Sequence, residues 1–366
     1  MAKEFEKTEK LEELEEQQYS AIDEDVVLPP PDIVAFNESR SCAEFVRMYN
    51  DKELDIQPEF QRNVVWQTSE QTRFIDSLIK QLPIPSLCFA YDRKQEKRIV
   101  IDGLQRITSI VNFLKEGNDS WHLSRLSDVS SEISGKSIAE IKKENYPLFT
   151  RVRNVSIPVT VLMCDLKEET HLNYLFTIFH RLNTGGQRLN NQEIRNCIYG
   201  GPFNNLLKEV ANSEIWKNLF NIPKKDRFVS EEILLRTFAF IDKLNDYKSN
   251  LAKFLNHYMK EKQNIDENEI QRFRYLINST LLLITEKIND KQIIKDTFGR
   301  TLQEGLLVGM VKNIDHLKTK TSDEINVMFN NFRNAEEFSE ANIRQSLAEK
   351  TKVQSRLNKS IEIFGI

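Results

Sequence analysis

Hydrophobic and polar positions follow two different periods along the chain. In the first half, runs of β-branched and aromatic residues predict strands at Ser86–Tyr91, Arg98–Ile101 and Ser156–Met163. From Glu168 onward, apolar residues recur every three or four positions, as in amphipathic helices, and residues 229–366 contain no convincing strand. The pattern predicts the α+β fold class, with a sheet-containing head followed by an all-α helical body.

Helices are also predicted inside the head. Ser41 is placed to cap one helix, and Thr68 or Ser69 to cap the next. A third helix follows the second strand and stops at Gly117. Residues 118–155 are expected to form an irregular insertion that contains a single helix.

Residues 1–30 form an acidic tail that is predicted to be disordered or helical. Residues 1–25 hold ten Asp and Glu against three Lys, so the net charge of −4 leaves the remaining chain at +3. A nearly neutral body neither requires nor excludes nucleic acid, which would need a local basic face. A solvated tail is the simpler interpretation, and a tail that covers a basic cleft is a second hypothesis.

Composition narrows the location and the redox chemistry. No apolar run reaches the roughly 20 residues of a membrane helix, and the N-terminus is too charged for a secretory signal, so we expect a cytoplasmic protein without membrane contact. The four cysteines lack paired C-x-x-C spacing, which argues against disulfides and against a zinc cluster. We therefore predict reduced, mostly buried thiols at Cys42, Cys88, Cys164 and Cys197.

The strand that ends near Ile101 runs directly into a helix through a tight polar turn. Asp102 supplies a carboxylate, Gln105 an amide and Arg106 a guanidinium, and the start of the helix adds its backbone amides. This combination suits a phosphate group together with a metal ion or a water molecule. The turn is the first candidate anion site.

A second candidate segment precedes the turn. Gln61 and Arg62 stand in a loop between the apolar anchors Phe60 and Trp66. An arginine held beside an amide in a rigid loop is suited to gripping phosphate, and an arginine paired with a carboxylate at the surface is the alternative interpretation.

A third candidate segment lies after the last strand. An apolar helix breaks near Asn183 and Gly186, and another helix begins near Asn190. Adjacent glycines allow a backbone to approach a ligand closely, and Glu193 suits either a metal ion or an arginine partner. A plain helix–loop–helix connection with a glycine at the helix end is the alternative.

Taken together, these segments resemble a known family. The series Q-R-N-V-V-W, S-L-I-K-Q-L-P-I-P, I-D-G-L-Q-R-I-T-S-I and F-H-R-L-N-T-G-G-Q-R-L-N-N-Q-E-I-R-N is similar, in order and spacing, to the GmrSD-type restriction endonuclease N-terminal domain family. The resemblance covers roughly residues 40–200. It implies a small mixed-sheet domain of the ParB/sulfiredoxin-like type at 31–200, followed by the helical domain at 201–366.

The resemblance also implies a function and a set of residues. Family members serve bacterial defence against phage or modified DNA, and nucleotide hydrolysis regulates a nuclease. The D-G-x-Q-R turn would bind a nucleoside triphosphate with Mg²⁺, with Asp102, Gln105 and Arg106 as catalytic residues and Asp102 as the metal ligand. The remaining phosphate-binding or nucleotide-binding residues would be Gln61, Arg62, Gly103, Thr108, Asn183, Gly186 and Glu193.

Three departures from related chemistries shape the hypothesis. Leu104 stands where many members have a second glutamine, which leaves Gln105 alone to position an attacking water. The sulfiredoxin reaction needs a cysteine at the phosphate turn, and no cysteine lies between Cys88 and Cys164. The five histidines are not clustered as in an H-N-H nuclease, so a nuclease partner would be supplied in trans.

Two function classes follow. The first is a nucleoside triphosphatase or nucleotide switch of a restriction system, because phosphoryl transfer relies on positioning and charge stabilisation and needs no protein nucleophile. The second is an adapter or scaffold that does not hydrolyse nucleotide and uses the same basic cleft on the DNA backbone.

Overall fold

The protein divides into two compact units. The computed structural model describes residues 29–56, 66–182, 190–220, 228–343 and 347–366. Contacts within the chain group Val26–Asn190 into the first unit and Asn191–Ile366 into the second. The resemblance implied a domain boundary after residue 200, which stays a prediction, and the compact units divide between Asn190 and Asn191.

The first unit is built on a mixed five-stranded sheet with the strand order β1-β5-β3-β4-β2. Strands β1 and β5 are antiparallel, β5 and β3 parallel, β3 and β4 antiparallel, and β4 and β2 parallel. The predicted hairpin is confirmed as β3 and β4. The strands are β1 (Val34–Ser41), β2 (Leu54–Asp55), β3 (Leu87–Asp92), β4 (Lys97–Asp102) and β5 (Ser156–Cys164).

The two edge strands are the ones that the hydrophobic pattern did not reveal. Strand β1 has no fully buried residue, because it pairs only with β5 and both Val34 and Phe36 face solvent, 52% and 39% exposed. Strand β2 is only two residues long. Neither has the alternation or the apolar run on which a strand prediction depends.

Six helices of the first unit surround this sheet within the described residues. Ser41 caps the first as predicted, since its Oγ accepts the Glu44 amide at 3.2 Å. The second is capped by Gln67 and not by Thr68 or Ser69, because the Gln67 amide donates to the Glu70 carboxylate at 2.8 Å. The helices are α1 (Cys42–Asn50), α2 (Thr68–Ile79), α3 (Leu104–Leu114), α4 (Ile138–Glu144), α5 (Tyr146–Asn154) and α6 (Glu169–Leu182).

The insertion at 118–155 contains two helices where one was predicted. Helix α4 is the predicted one, and α5 follows it after the single residue Asn145. The Asn145 side chain accepts the Leu148 amide at 3.1 Å, and Pro147 lies in the first turn, where proline is well tolerated. Asn145 and Pro147 thus start a second helix in this segment.

The second unit is helical throughout its described residues. Its close packing depends on glycine at one crossing: a Cβ on Gly309 would lie 2.2 Å from the Ser360 Oγ. Its helices are α7 (Asn191–Ile198), α8 (Pro202–Ala211), α9 (Glu214–Leu219), α10 (Val229–Lys243), α11 (Leu251–Lys262), α12 (Glu267–Lys287), α13 (Gln292–Thr297), α14 (Arg300–Lys312), α15 (Ile314–Thr319), α16 (Ser322–Arg333), α17 (Glu340–Ile343) and α18 (Lys350–Phe364).

The architecture confirms the α+β class, with a mixed sheet near the N-terminus followed by helices. The relation to the ParB and sulfiredoxin folds stays a prediction. Across the part of the chain that the structure describes, no helix has both the length and the apolar character that a membrane crossing demands.

Candidate phosphate-binding site

The polar turn between β4 and α3 depends on Gly103. This residue has φ +94°, a left-handed conformation that glycine adopts without strain. A Cβ at this position would lie 2.1 Å from the Leu87 Cδ2 atom, so the neighbouring strand also excludes a side chain. Both constraints place a glycine between the last residue of the strand and the first residue of the helix.

The helix begins without a side-chain cap, because its N-cap residue is Gly103. The first backbone bond of the helix runs from the Ile107 amide to the Gly103 carbonyl at 3.0 Å. The amides of the preceding first turn point toward the N-terminal end of the helix, where the helix dipole is positive. This is the local arrangement that binds anions in many proteins.

Asp102 and Arg106 form an ion pair across the turn. The Arg106 Nη2 atom donates to the Asp102 Oδ2 atom at 2.9 Å, and the two side chains are 12% and 31% exposed. Arg106 Nη1 also donates to the Pro85 carbonyl and, at 3.5 Å, to the Ser86 carbonyl. Three acceptors, one at the end of β4 and two in the segment before β3, thus fix the guanidinium.

The electrostatics of the pair leave one carboxylate oxygen available. Burial lowers the pKa of the Arg106 guanidinium, and the Asp102 charge opposes that change. An arginine keeps its charge in proteins under any such shift. Within the described residues, Asp102 Oδ1 accepts no hydrogen bond, while Oδ2 is held by Arg106. Asp102 can therefore offer Oδ1 to a ligand without breaking its ion pair.

Gln105 anchors Trp66, the apolar residue that ends the second candidate segment. Its Oε1 atom accepts the Trp66 amide at 3.1 Å. The Trp66 carbonyl in turn accepts Gln71 Nε2 at 2.9 Å, and Asn112 Nδ2 donates to Gln71 Oε1 at 3.0 Å. The Trp66 ring packs on Phe74 at 5.6 Å between centroids. Side chains of α2 and α3 therefore hold both backbone polar groups of Trp66.

Leu104 and Thr108, both in the first part of α3, pack toward the interior of the unit. Leu104 is partly buried and packs against the hydrophobic core of the unit, which explains how an apolar residue is accommodated there. Thr108 is only 3% exposed, so its hydroxyl lies inside the protein and not at the surface of the turn. Of the predicted residues, the structure brings together Asp102, Gly103, Gln105 and Arg106.

The remaining predicted residues are four outside the described chain and one in the second unit. Gln61, Arg62, Asn183 and Gly186 lie outside the described residues. Glu193 belongs to α7 in the second unit and is fully buried.

Arg195, two positions after Glu193, binds other side chains inside the protein. Arg195, 1% exposed, donates to Asn256 Oδ1 at 2.8 Å, to Gln192 Oε1 at 3.2 Å and to Glu232 Oε2 at 3.1 Å. The third motif thus continues into a buried polar network that joins α7, α10 and α11. These protein partners account for the position of Arg195, so no ligand is needed to explain it.

The cysteine nearest the turn in the sheet is a buried thiol with a raised pKa, which does not favour thiol chemistry there. Cys88 is the register partner of Asp102 across β3 and β4, and burial, helped by the Asp102 charge, raises the pKa of its thiol to about 12. Cys42 and Cys164 are also buried, with thiol pKa values raised to about 12 by burial. The predicted role of these cysteines as small buried apolar residues is confirmed. Among the described side chains, no group of three or more His, Cys, Asp or Glu is placed to hold a metal ion.

Sequence reasoning missed the residues that hold the turn in place. The Pro85 and Ser86 carbonyls, Gln71 and Asn112 contribute through main-chain or amide groups that have no motif of their own. Pro83 and Pro85 were interpreted only as helix terminators. Their second effect is to fix an extended segment whose carbonyls face Arg106.

Comparison with known proteins bears on the same region. Residues 43–200 match the family model described as the GmrSD restriction endonuclease, N-terminal domain. Neither the curated proteins nor the solved structures gave a match. The matched range includes β2 to β5 and the turn at Asp102–Arg106.

Proposed function

Because residues 43–200 belong to the GmrSD restriction endonuclease N-terminal domain family, we propose that the chain is a restriction-system protein that binds and hydrolyses a nucleoside triphosphate at the Asp102–Arg106 turn. One observation carries the proposal: an uncapped helix start, a fixed guanidinium and a carboxylate oxygen to which no described residue donates meet at this turn. These are the three groups that a phosphate and its metal ion require.

The phosphates would lie against the start of α3. Backbone amides and Arg106 supply positive charge, and Arg106 is already held in place by Asp102 and the Pro85 carbonyl. A preorganised charge costs no reorganisation when negative charge develops during phosphoryl transfer. Arg106 therefore stabilises the transferred phosphoryl group from a fixed position.

Magnesium fits this turn with a single protein ligand. Asp102 Oδ1 has no protein donor in the described chain, and Mg²⁺ commonly binds through one or two carboxylates while phosphate oxygens and waters complete its shell. When bound, the ion would neutralise phosphate charge. Asp102 would hold the ion through its carboxylate while Oδ2 keeps its bond to Arg106.

Gln105 is assigned a positioning role in this proposal. Its carbonyl oxygen is engaged by the Trp66 amide, so its effect on hydrolysis passes through the segment that ends at Trp66. That segment contains Gln61 and Arg62, whose role in phosphate binding stays a prediction from the sequence. The nuclease that nucleotide turnover controls would be a separate protein.

The alternative, an adapter that uses the turn on the DNA backbone, is disfavoured by burial. The Arg106 side chain is 12% exposed and already bonded to two main-chain carbonyls and Asp102. A duplex backbone is too bulky to reach such a group, whereas a terminal phosphate can enter a narrow turn. The turn suits a nucleotide better than DNA.

Equilibrium binding tests the proposal. We would titrate each of the four ribonucleoside triphosphates with and without Mg²⁺, using the wild type and Asp102→Asn. We expect at least one nucleotide to bind with Mg²⁺, and Asp102→Asn to weaken that binding by roughly tenfold or more, about 1.4 kcal/mol. Asp128→Asn is the matched control, since Asp128 pairs with Arg73 on the exposed surface of the same unit. Wild-type protein that binds no nucleotide, or equal binding by both variants, would contradict the proposal.

A further inference from the structure

A chain of hydrogen bonds leads from the Asp102–Arg106 turn across the sheet to its edge. Arg106 Nη1 donates to the Ser86 carbonyl at 3.5 Å, and the Ser86 hydroxyl lies 3.4 Å from the Thr160 hydroxyl. Thr160 Oγ1 in turn donates to Asn37 Oδ1 at 2.9 Å. The side chains of Ser86, Thr160 and Asn37, which we call the polar row, therefore connect the turn with strand β5 and the edge strand β1.

Two members of the polar row lie in register with the end of β4. Across the sheet, Asp102 is the partner of Cys88, Cys88 the partner of Thr160, and Thr160 the partner of Asn37. Neighbouring strands are about 4.8 Å apart, so the backbones at Asp102 and Asn37 are separated by about 14 Å. Three linked phosphates are shorter than this distance. A ligand that reaches from the turn to Asn37 therefore needs a further group beyond its phosphates.

The polar row has hydrogen-bonding capacity that the described protein does not use. The Asn37 Nδ2 atom has no acceptor among the described residues, although Thr160 holds the other end of the amide. Ser86 has one hydroxyl proton, and the Leu87 and Pro158 carbonyls are both within its reach. Because the Thr160 proton is given to Asn37, the Ser86 oxygen is left to accept from a ligand. Asn37 and Ser86 are both exposed, so the row offers a fixed donor and a fixed acceptor to solvent.

The residues of β1 and β5 that share the face of the polar row are uncharged. Side chains alternate between the two faces of a strand, so Asn37 shares its face with Ser39, whereas Glu38 and Arg40 lie on the other face and pair with each other. Opposite Ser39, the exposed Pro158 of β5 adds an apolar ring. A charged turn is thus followed by a neutral surface with polar and apolar groups. A nucleotide has the same order, from charged phosphates to an uncharged sugar and base.

We infer that the polar row binds the nucleoside part of the nucleotide while the turn binds its phosphates. The inference rests on the proposed function and names the residues that distinguish a nucleotide from a bare polyphosphate. Ribose hydroxyls donate and accept hydrogen bonds, and base edges present carbonyl and ring-nitrogen acceptors, so these groups match Ser86 and Asn37. A row that only joined β1 to β5 would make no difference between the two kinds of ligand.

The test compares inorganic triphosphate with each of the four ribonucleoside triphosphates, all with Mg²⁺, in equilibrium binding to the wild type and to the double variant Asn37→Ala, Thr160→Val. Inorganic triphosphate probes the turn alone, so the ratio of the two dissociation constants measures the contribution of the nucleoside. We expect the wild type to bind its preferred nucleotide roughly tenfold more tightly than triphosphate, which corresponds to a few hydrogen bonds. The double variant should bind both ligands about equally, with an unchanged affinity for triphosphate. The control Asn154→Ala, which removes an exposed amide of the same unit outside the row, should keep the wild-type ratio.

Three results would overturn the inference and leave a phosphate site at the turn: equal affinity of the wild type for nucleotide and triphosphate, an unchanged ratio in the double variant, or an equal loss of both ligands in that variant. In the last case the row would only hold the turn in place. A wild type that binds neither ligand would reject the proposed function and the inference with it. Asn37→Ala alone, a change at an exposed position, is measured as a second variant so that unfolding of the double variant does not decide the result. It should weaken nucleotide binding and leave triphosphate binding unchanged.

Discussion

At the scale of single residues, Gly103 connects the fold to the candidate site. Its left-handed φ of +94° lets β4 turn directly into α3, and its missing side chain leaves room for Leu87. The same position removes a side-chain cap from the helix. One residue thus makes the strand-to-helix turn and, in the proposed function, leaves the helix start open to an anion.

Replacement of Gly103 by alanine is expected to destabilise the protein. The Cβ would contact Leu87 at 2.1 Å and the backbone conformation would be strained, together about 2 to 4 kcal/mol of unfolding free energy. Gly117→Ala is the control, because Gly117 has φ +80° but nothing within 4 Å of an added Cβ, so only about 1 kcal/mol of strain applies. Urea unfolding measures both. Equal losses would show that contact with Leu87 does not constrain the turn.

The sequence could predict which residues form the turn but not what holds them. The order Asp102, Gly103, Gln105, Arg106 follows from a strand that ends where helical spacing begins. The Arg106 bond to Pro85 spans 21 positions and the Gln105 bond to Trp66 spans 39. Such contacts depend on how β3, α2 and α3 pack, and a local pattern carries no information about that.

At the scale of elements, the hydrophobic pattern correctly predicted the strands and helices that bury one face or both faces. Strands β3 and β5 and the helices with apolar stripes were predicted to within a few residues. Strand β1 was missed because none of its residues is fully buried, and α5 because it follows α4 after a single residue. In both cases the missing information is the neighbour against which the element packs.

Three helices of the second unit share a buried row of charges. Glu232 on α10 binds Arg195 and Arg236, and Arg236 on α10 lies 3.7 Å from Glu304 on α14. Although burial opposes ionisation, the charges of Arg236, Arg195 and Arg300 lower the pKa of Glu232 to about 2. Burial raises the pKa of Glu304, and Arg236 and Arg356 only partly offset it. The two carboxyl groups should therefore respond to pH in opposite ways.

We expect Glu232→Gln to lower the unfolding free energy at pH 7 by about 3 kcal/mol, because the native state favours the ionised carboxylate. That stabilisation is present above the ordinary value of 4.5 and is lost as the pH falls toward about 2. The difference between wild type and variant should shrink over this range. Unfolding in urea at several pH values measures it.

Glu304→Gln is the control with the opposite sign. A raised pKa means that the native state favours the protonated carboxyl, so this stabilisation is complete below 4.5 and is lost as the pH rises through the native value. The stability of Glu304→Gln relative to wild type should therefore rise with pH. A parallel pH trend for the two variants would show that the two carboxyl groups do not differ in environment.

At the scale of the whole molecule, the family match and the division into units do not coincide. The match covers residues 43–200, whereas the first unit ends at Asn190 and α7 belongs to the second. The third motif continues into α7, whose Arg195 is bound to α10 and α11. The family pattern thus reaches from the sheet-containing unit into the first helix of the helical one. The helical period of the sequence begins at Glu168, before the end of the first unit at Asn190.

The most direct test of the central claim is phosphate release by the purified protein. Each ribonucleoside triphosphate is supplied with Mg²⁺, with and without DNA, to the wild type, Asp102→Asn and the control Asp128→Asn. We expect release by the wild type and by Asp128→Asn, and a loss of roughly a hundredfold or more in Asp102→Asn, the order seen when a preorganised catalytic group is removed. No release under any condition, or undiminished release by Asp102→Asn, would contradict hydrolysis at this turn.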